Sequence, residues 1–378
     1  MSIFTSRKIQ EAEYFIKKNY YRFDQKTKSE IENAMIESLV GSLGDKHSTY
    51  FPPKEAQSFS DVLRGDFEWI WAVIDEHYKG IIIRKIFSSS PAEKAWLEAG
   101  DILTHIDGIS IVWMTSEQAV KKIRWPKLSK AVIAYLHGER DEEKKVEVIR
   151  DTIIIPSTQE KMLSGSIWYI EIAFFWEHTK KEFETSLENV TQSWAKWVVL
   201  DFRNNGGGYL DASVELLSMV LPENLTAVIT KENNIKNNSV YTTKIQKINN
   251  IKIPIVIIIN NLSASATEIF AWAIQDYDRW VIVWEKSYGK GSVQEPFIME
   301  DGSMMKLTIG RWYTPKEKNI DADGITPDIL IPIFESDFSK KYDRQLEWAK
   351  KVMDALIKDN NEVKNTRNTA KKIDFLIP

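Results

Sequence analysis

The chain of 378 residues contains no cysteine. This absence excludes disulfides, a cysteine nucleophile and a zinc site built on thiolates, but it leaves the compartment open because such a chain suits either redox environment. A large charge of either sign is also missing, since the net charge is −4. Nucleic-acid binding therefore has no electrostatic support, and we expect no nucleic-acid partner.

Long apolar runs are missing from the start of the chain. Residues 1–25 are charged and aromatic, and they hold no apolar stretch as long as a signal-peptide core or a membrane span. We therefore expect either a cytosolic protein or one whose export segment precedes this sequence. The composition, 43% hydrophobic and 28% charged, is ordinary for a globular protein, and the length predicts two or three domains.

Glycine is scarce and tryptophan is abundant. There are 16 glycines and 14 tryptophans, so glycine falls well below its usual share of about 7%. Several tryptophans also occupy positions where a turn or a close approach favours glycine. Trp69 and Trp71 flank Ile70, and Trp284 ends an apolar run. Large indoles at such positions would overpack the fold, typically at more than about 1–3 kcal/mol each.

Hydrophobic patterns divide the chain into four parts. Residues 1–64 are predicted to be mostly helical, because apolar side chains recur there at helical spacing. Residues 65–155 have short apolar runs between turn signals, which predicts a small strand-rich module with helices at residues 92–99 and 116–123. Residues 156–335 alternate strands and helices, among them a helix predicted at residues 210–220 and a buried strand predicted at residues 253–259, and their continuously apolar strands are typical of an α/β layered core. Residues 336–378 are predicted to form a charged helical segment.

The segment 263–268 places small residues where a buried strand should meet a helix. A lone serine in such a run is usually a close-packing site. Here Ser265 would lie at a helix N-terminus, where backbone N–H groups such as that of Ala266 can hold a developing oxyanion. The sequence therefore predicts a nucleophile in this run, but Ser263 is a rival to Ser265 that spacing alone does not separate.

Lys290 lies between two glycines, 25 positions after Ser265. A lysine amine can activate a hydroxyl if a dry site lowers its pKa enough to leave it neutral, and glycines allow the backbone to approach closely. Gln294 could then hold the amine of Lys290 by a hydrogen bond, whereas a carboxylate at that position would keep the lysine protonated. The ordinary alternative is a surface lysine in a glycine turn.

A glycine-rich loop, residues 203–208, follows another buried strand. Its spacing does not match the common phosphate-binding motifs. We expect a backbone N–H of Gly207 or Gly208 to point at the scissile carbonyl oxygen and supplement that of Ala266, although a plain flexible turn is the alternative. The five histidines lack zinc-ligand spacing, so no metal is expected, while a Ser-His-Asp triad stays open. Residues 45–50 are expected to pack and cap.

Together these motifs resemble those of the carboxyl-terminal processing peptidases, also called tail-specific proteases. The matching stretches, between about Tyr20 and Ala349, are residues 42–50, 90–95, 100–103, 200–205, 263–269, 289–294, 308–315 and 324–328. The resemblance implies a PDZ-like domain, an α/β protease core of the crotonase/ClpP type and helical segments at both ends. It also implies Ser265 as the nucleophile, Lys290 as the general base and Gln294 as the residue that orients the lysine, without a cofactor or metal.

The resemblance further implies that substrates are recognised by their C-terminal tails. In a PDZ domain the peptide adds as a strand, and its carboxylate sits among backbone N–H groups. The carboxylate-binding loop corresponds here to Trp69, Ile70 and Trp71, where the family pattern is Gly-Ile-Gly. An indole on this loop would obstruct the approach of the carboxylate.

Other tryptophans replace residues that resemble glycines of the family pattern: Trp96, Trp125, Trp168, Trp197, Trp272, Trp280 and Trp284. Random mutation would not convert one residue type into one other. Our hypothesis is that the gene uses a code in which UGA means glycine, and that Trp69, Trp71 and Trp284 are among the affected positions. The alternative is a lineage that accumulated genuine tryptophans. Trp312, by contrast, fits the family pattern as it stands.

The resulting expectation is a serine endopeptidase that cleaves proteins with exposed C-termini through a Ser-Lys dyad and an acyl-enzyme. The alternatives are a non-catalytic PDZ-type peptide-binding protein and a crotonase-like acyl-CoA enzyme. Family architecture suggests a homodimer formed through the helical ends, residues 1–40 and 336–378. The family usually acts in the cell envelope or outside the cytoplasm, and a segment preceding this sequence could provide membrane association.

Overall fold

The computed structural model describes residues 6–64, 66–69, 72–86, 90–115, 118–119, 129–137, 142–149, 151–154, 156–163, 166–248, 253–331 and 343–358. Within these ranges the chain forms a helical N-terminal part, a small β-rich module and a larger α/β core, as the sequence predicted. None of the helices in these ranges has both the length and the apolar character that a membrane span needs.

The N-terminal part is helical. Its elements are α1 (Arg7–Asn19), α2 (Lys28–Gly41), β1 (Thr49–Phe51) and α3 (Pro53–Arg64). A capping box starts α2, because the Thr27 hydroxyl accepts the Glu30 N–H and the Glu30 carboxylate accepts the Thr27 N–H. Of the residues described in the first two helices, α1 buries none and α2 buries only Val40. These helices therefore add little to the core of the molecule.

The β-rich module has its own hydrophobic core. Its strands are β2 (Asp66–Trp69), β3 (Ala72–His77), β4 (Gly80–Ile86), β5 (Ile102–Ile106), β6 (Ile109–Ser110), β7 (Lys130–Leu136), β8 (Lys144–Ile149) and β9 (Asp151–Ile154). One sheet has the order β3-β4-β5-β7-β8 with β6 paired to β5, and β2 pairs separately with β9. Ile81, Ile83, Leu103 and Ile133 are fully buried between them.

One predicted helix of this module is shorter than expected. The helix α4 covers Pro91–Lys94 rather than residues 92–99, because Trp96 adopts the left-handed conformation with a φ of 61° and ends it. Ser90 caps the start of α4 by accepting the Glu93 N–H. The other predicted helix, residues 116–123, lies almost wholly outside the described residues.

The core alternates strands and helices. Its elements are β10 (Thr158–Leu163), β11 (Ile167–Ile172), α5 (Thr179–Gln192), β12 (Trp197–Asp201), α6 (Leu210–Val220), β13 (Thr226–Glu232), β14 (Ser239–Thr242), β15 (Ile255–Ile259), α7 (Ala266–Asp276), β16 (Val281–Trp284), β17 (Ser292–Ile298), β18 (Met304–Tyr313), β19 (Ile329–Leu330) and α8 (Arg344–Lys358). A six-stranded sheet has the order β10-β11-β12-β15-β16-β19 and is parallel from β11 to β19. The strands β13, β14, β17 and β18 form an antiparallel sheet that β1 extends.

Both faces of the parallel sheet are covered by helices. All five residues of β15 are buried, and successive side chains face opposite sides of the sheet. Ile257 packs in the cluster that contains Phe183 of α5 and Phe270 of α7, whereas Val256 packs with Met353 of α8. The core is therefore an α/β/α sandwich, and the loops that follow β12 and β15 meet at the carboxyl edge of its sheet, where ligand sites of such folds lie.

Candidate active site

Two loops meet at the carboxyl edge of the parallel sheet. Asn204 follows β12 and Asn260 follows β15, and each side-chain oxygen accepts from the other residue: Asn204 N–H to Asn260 Oδ1 at 2.9 Å and Asn260 Nδ2 to Asn204 Oδ1 at 2.8 Å. The Ala264 N–H also donates to the Asn205 carbonyl oxygen at 3.0 Å. These bonds place the glycine-rich loop 203–208 directly beside the small-residue run.

The two candidate serines differ in access. Ser263 is fully buried, and its hydroxyl donates to the Phe202 carbonyl oxygen at 2.8 Å and accepts the Asn260 N–H at 2.9 Å. Ser265 is partly exposed and directly precedes α7. The geometry therefore gives Ser263 a structural role and leaves Ser265 as the serine that a substrate can reach.

Ser265 has a backbone conformation that is unusual for a residue with a side chain. Its φ is 57° and its ψ is −118°, and a conformation of this kind costs about 1–3 kcal/mol. Two bonds hold it: the Ser265 N–H donates to Glu268 Oε2 at 2.8 Å, and the Ser265 carbonyl oxygen accepts the Ile269 N–H at 3.0 Å. A strained serine between a strand and a helix N-terminus is typical of a nucleophile.

The predicted oxyanion donors differ in what they bond. Gly207 has a φ of 100°, and a Cβ added there would lie 2.7 Å from Ser265 Cβ and 3.0 Å from the Ala266 nitrogen, so only glycine permits this approach. The Gly207 N–H, however, donates to Asn205 Oδ1 at 2.9 Å. The N–H groups of Ala266 and Gly208 have no hydrogen-bond partner among the described residues. Ala266 and Gly208 are therefore the donors left free in this structure.

Glu268 is a site residue that the sequence analysis missed. This buried carboxylate accepts the Ser265 N–H at 2.8 Å and the Lys290 N–H at 2.9 Å on Oε2, and on Oε1 it accepts the Ser287 hydroxyl at 2.5 Å and the Gly289 N–H at 2.7 Å. Burial raises the pKa of Glu268, although these hydrogen bonds oppose the increase. The capping-box spacing, a glutamate three positions after Ser265, was the signal that could have found it.

Lys290 is half-buried on the loop between β16 and β17. Burial lowers the pKa of its amine, the positive charge of Lys306 lowers it further, and the carboxylates of Glu268 and Asp45 oppose the change. Within the described chain, the amine makes no hydrogen bond or ion pair, and it is not bonded to the Ser265 hydroxyl. A desolvated amine with a lowered pKa is the property that a lysine base requires.

Gln294 lies on β17, close to the lysine loop. Its carboxamide nitrogen donates to the Ser292 hydroxyl at 2.8 Å and to the Thr308 hydroxyl at 3.3 Å. In this structure it therefore bonds to Ser292 on its own strand and to Thr308 on the neighbouring strand β18, and its predicted bond to Lys290 is not among the contacts of the described residues. The backbone of Lys290 is held instead by Trp312, whose indole N–H donates to the Lys290 carbonyl oxygen at 2.9 Å.

The predicted carboxylate-binding loop is only partly described. Trp69 ends β2, where its backbone pairs with Asp151 of β9. Ile70 and Trp71 lie outside the described residues, so a carboxylate site at this loop stays a prediction. In the part of the chain that the structure describes, no group of three or more histidine, aspartate or glutamate side chains is placed to hold a metal ion.

Comparisons with known proteins point to one family. The family model described as Peptidase family S41 matches residues 166–331, and the PDZ domain model matches residues 70–130. The "Probable CtpA-like serine protease" of Staphylococcus saprophyticus is 31% identical over 332 residues, covering 87% of this chain and 66% of that protein. Its counterpart in Staphylococcus haemolyticus is 30% identical over 325 residues, covering 86% and 64%. The chain thus spans slightly less than two thirds of the length of these relatives.

Solved structures agree on the fold. The photosystem II D1 C-terminal processing protease aligns with a TM-score of 0.51 and 21% identity, over 86% of this chain and 87% of that chain. A Bacteroides fragilis protein described as an S41 protease aligns with a TM-score of 0.58 and 17% identity, over 86% and 90%. At these identities the likeness concerns the fold, and it matches the predicted PDZ-like domain and α/β protease core.

Proposed function

Because the chain belongs to peptidase family S41, the family of C-terminal processing serine proteases, and carries a PDZ domain, we propose that it is a serine endopeptidase. One observation carries the proposal: the Glu268 carboxylate holds the backbone of an accessible serine and that of a desolvated lysine at once. Neither a peptide-binding scaffold nor an acyl-CoA site would need this coupling of Ser265 to Lys290.

The proposed chemistry is acyl transfer through a Ser-Lys dyad. Neutral Lys290 takes the hydroxyl proton as Ser265 Oγ attacks the peptide carbonyl carbon, and the carbonyl oxygen becomes an oxyanion. The N–H groups of Ala266 and Gly208 would hold this oxyanion, each donor contributing about 3–4 kcal/mol. The lysine then gives its proton to the leaving amine. Water, with Lys290 again as the base, releases the acyl group from Ser265.

The Lys290 amine and the Ser265 hydroxyl must come within hydrogen-bonding distance before they react. The Lys290 amine and the Ser265 hydroxyl are not hydrogen-bonded among the contacts of the described chain, and catalytic bonds are often long or poorly aligned until substrate is bound. We expect substrate binding to bring the two groups together, and the Gln294 carboxamide oxygen to accept an N–H of the lysine amine while its nitrogen keeps the bond to Thr308. This contact is local, since Gln294 lies only four positions beyond Lys290.

The substrates proposed are proteins with exposed C-terminal tails. The PDZ mode of recognition adds the peptide as an extra strand and holds its carboxylate among backbone N–H groups, here at residues 69–71. Purified protein would be incubated with unstructured polypeptides that differ only in their C-terminal residues. We expect cleavage to depend on those residues, and amidation of the C-terminus to reduce it. Equal cleavage of the amidated substrate would contradict recognition by the tail.

The dyad itself is tested by substitution. We expect Ser265→Ala and Lys290→Ala to abolish cleavage while circular dichroism and the melting temperature stay close to those of the unchanged protein. Lys286→Ala is the matched control, because Lys286 is an exposed lysine on the same loop. A fluorophosphonate probe should label the protein at Ser265, which a non-catalytic PDZ protein would not allow. Turnover by Lys290→Ala near that of the unchanged protein would refute the dyad.

A further inference from the structure

A turn from the N-terminal part lies against the lysine side of the site. Residues 45–48, called here the 45–48 turn, close with a bond of 3.3 Å from the Ser48 N–H to the Asp45 carbonyl oxygen. The Asp45 carboxylate accepts the His47 N–H at 3.1 Å and the Ser48 hydroxyl at 2.5 Å. These bonds agree with the prediction that residues 45–50 cap and pack, since Tyr50 is also buried, and they fix the position of the Asp45 carboxylate.

Asp45 stays ionised at neutral pH. Burial would raise its pKa, but hydrogen bonding to Ser48 and Thr308 and to the His47 N–H lowers it to about 2. The turn therefore carries a negative charge at neutral pH. The turn also lies close to both lysines: the Lys46 amine is 5.3 Å from the centroid of the Tyr288 ring, two positions before Lys290, and Thr49, which follows the turn, is opposite Lys306 in the β1–β18 ladder. The charge of Asp45 acts to raise the pKa of Lys290 and of Lys306 against the burial that lowers both.

The 45–48 turn is also bonded to the strand beside Gln294. The Ser48 hydroxyl accepts the Thr308 N–H of β18 at 3.0 Å, and β1 pairs with β18 just beyond this contact. The Thr308 hydroxyl accepts the Gln294 carboxamide at 3.3 Å, and the two residues are opposite each other in the β17–β18 ladder. A continuous set of bonds thus runs from Asp45 through Ser48 and Thr308 to Gln294.

We propose that the 45–48 turn is a positioning element of the active site, a role that rests on the proposed peptidase function. Through Ser48 and Thr308 it holds the carboxamide of Gln294, and through Asp45 it places a negative charge opposite the lysine. It acts through these groups and does not touch the reacting atoms. Because the turn belongs to the N-terminal helical part, a displacement of that part would change the orientation of the Gln294 carboxamide and move the Asp45 charge relative to Lys290.

The positional half of the proposal is tested at Thr308. Valine keeps the shape of threonine and the backbone N–H that Ser48 accepts, but it removes the hydroxyl that accepts from Gln294 and that also bonds to Asp45. We expect Thr308→Val to lower kcat about fivefold with little change in KM, the worth of one hydrogen bond. Thr308→Ser, which restores the hydroxyl, should recover most of the loss. An unchanged kcat in Thr308→Val, or an equal loss in Thr308→Ser, would overturn this role.

The charge half is tested by the pH dependence of kcat/KM. Among the described residues, four titratable groups interact electrostatically with the Lys290 amine: Glu268 from α7, Lys306 from β18, and Asp45 and His47 from the turn. Activity needs the neutral amine, so it rises with pH through the pKa of the lysine. Asp45→Asn removes a charge that favours the protonated amine and should move this rise to lower pH by about half a unit or more. Asp24→Asn, an exposed aspartate of the same N-terminal part, should leave it in place.

A control separates this proposal from the function on which it rests. Lys290→Ala is measured in the same assay, and NMR titration of the Lys290 side chain follows its pKa without any need for cleavage. If the unchanged protein does not cleave, or Lys290→Ala cleaves equally well, the peptidase proposal fails and the positioning role fails with it. If the dyad is sound but Asp45→Asn leaves both the pH profile and the lysine titration unchanged, only the charge role of the 45–48 turn is refuted.

Discussion

Among the described residues, three tryptophans have a backbone conformation that favours glycine. Trp96, Trp113 and Trp284 have φ values of 61°, 66° and 106°, and a bulky residue in that region is an outlier. Trp284 is also buried, and its indole nitrogen has no hydrogen-bond partner among the described residues. An unpaired buried N–H costs about 1–3 kcal/mol. The backbone thus supports the glycine-recoding hypothesis for Trp96 and Trp284 independently of any family pattern, and it adds Trp113.

Local hydrogen bonds explain two of these positions. Trp96 follows α4, and the N–H of the next residue, Leu97, donates to the Ala92 carbonyl oxygen at 3.1 Å. This is the hydrogen-bond pattern of a helix C-terminus in which the position of Trp96 is usually glycine. Trp113 is the third residue of a turn in which the Met114 N–H donates to the Ile111 carbonyl oxygen at 3.2 Å. A positive φ at the third position of a turn favours glycine.

Substitution at the exposed tryptophans gives a clean test of the strain. Trp96 and Trp113 are 86% and 82% exposed, so removing either indole leaves no cavity. We expect Trp96→Gly and Trp113→Gly each to raise the free energy of unfolding by about 1 kcal/mol, the cost of the left-handed conformation for a residue with a side chain. Urea denaturation measures the change. Trp194, 92% exposed with an ordinary φ, is the control, and Trp194→Gly should give no gain.

The recoding hypothesis itself is a statement about the native protein. A tryptic peptide of the native protein that spans positions 280–284 should carry the mass of glycine at both ends of this stretch. Peptides across positions 96 and 113 should agree with it. Indole masses at these positions would refute recoding, and the positive φ values would then be strain that the protein carries.

The buried amine of Lys290 predicts a trade-off between stability and activity. Its folded-state pKa is lowered, so its contribution to stability is full above the ordinary value near 10.5 and declines as the pH falls toward the lowered pKa. Lys290→Met should therefore abolish cleavage yet raise the free energy of unfolding at pH 7, and the difference should shrink as the pH approaches 10.5. Urea denaturation at several pH values measures it. A variant less stable at every pH would contradict an amine whose pKa is lowered by burial.

At the scale of elements, the sequence predicts the repeating parts of the fold well. The helix at Leu210–Val220 has the predicted bounds, and the buried strand predicted at 253–259 is observed at Ile255–Ile259. Continuous apolar strands and amphipathic helices follow from local periodicity. The choice between Ser263 and Ser265 does not, because it depends on the bond from the Ser263 hydroxyl to the Phe202 carbonyl oxygen, 61 positions away. The same holds for Glu268, whose partners come from two separate loops.

Glu268 joins the start of α7 to the lysine loop, and this junction can be tested. A glutamine side chain has one acceptor oxygen, so Glu268→Gln turns its amide nitrogen toward groups that donate and breaks at least one bonded pair. We expect it to lower the free energy of unfolding by about 2 kcal/mol and kcat by about tenfold or more. Fluorophosphonate labelling of Ser265 should slow in parallel. Glu300→Gln, at an exposed turn, should change neither quantity.

At the scale of the molecule, the described residues form separate hydrophobic clusters. One lies inside the β-rich module, around Ile83 and Leu103, and two lie on the two faces of the parallel sheet. The matched PDZ and peptidase S41 regions, residues 70–130 and 166–331, fall within the predicted parts 65–155 and 156–335, whose exact bounds stay a prediction. Periodicity could divide the chain in this way, but it could not foresee which side chains tie the parts together.

One such tie links the C-terminal helix to the loop beside Ser265. Arg203 follows β12, and its guanidinium donates to both carboxylate oxygens of Asp343 at 2.8 Å, across 140 positions, while it also bonds to Asp201. Asp343 in turn caps α8 by accepting the Leu346 N–H at 3.0 Å. Burial would raise the pKa of Asp343, but the bonds to Arg203 outweigh burial and lower it.

Asp343→Asn tests the ion pair with Arg203 separately from the helix cap, because asparagine caps helices as well as aspartate does. Asp343 is 39% exposed, so solvent screening limits the expected loss in the free energy of unfolding at pH 7 to about 1 kcal/mol. Since the folded-state pKa of Asp343 is lowered, its contribution is present above the ordinary value and is lost as the pH falls. Urea denaturation at pH 7 and pH 3 should therefore show the two proteins converging in acid. Arg203 is the first residue of the loop that carries Gly207 and Gly208, so we also expect Asp343→Asn to lower kcat at pH 7. An unchanged kcat would mean that this loop keeps its conformation without the bond to the C-terminal helix.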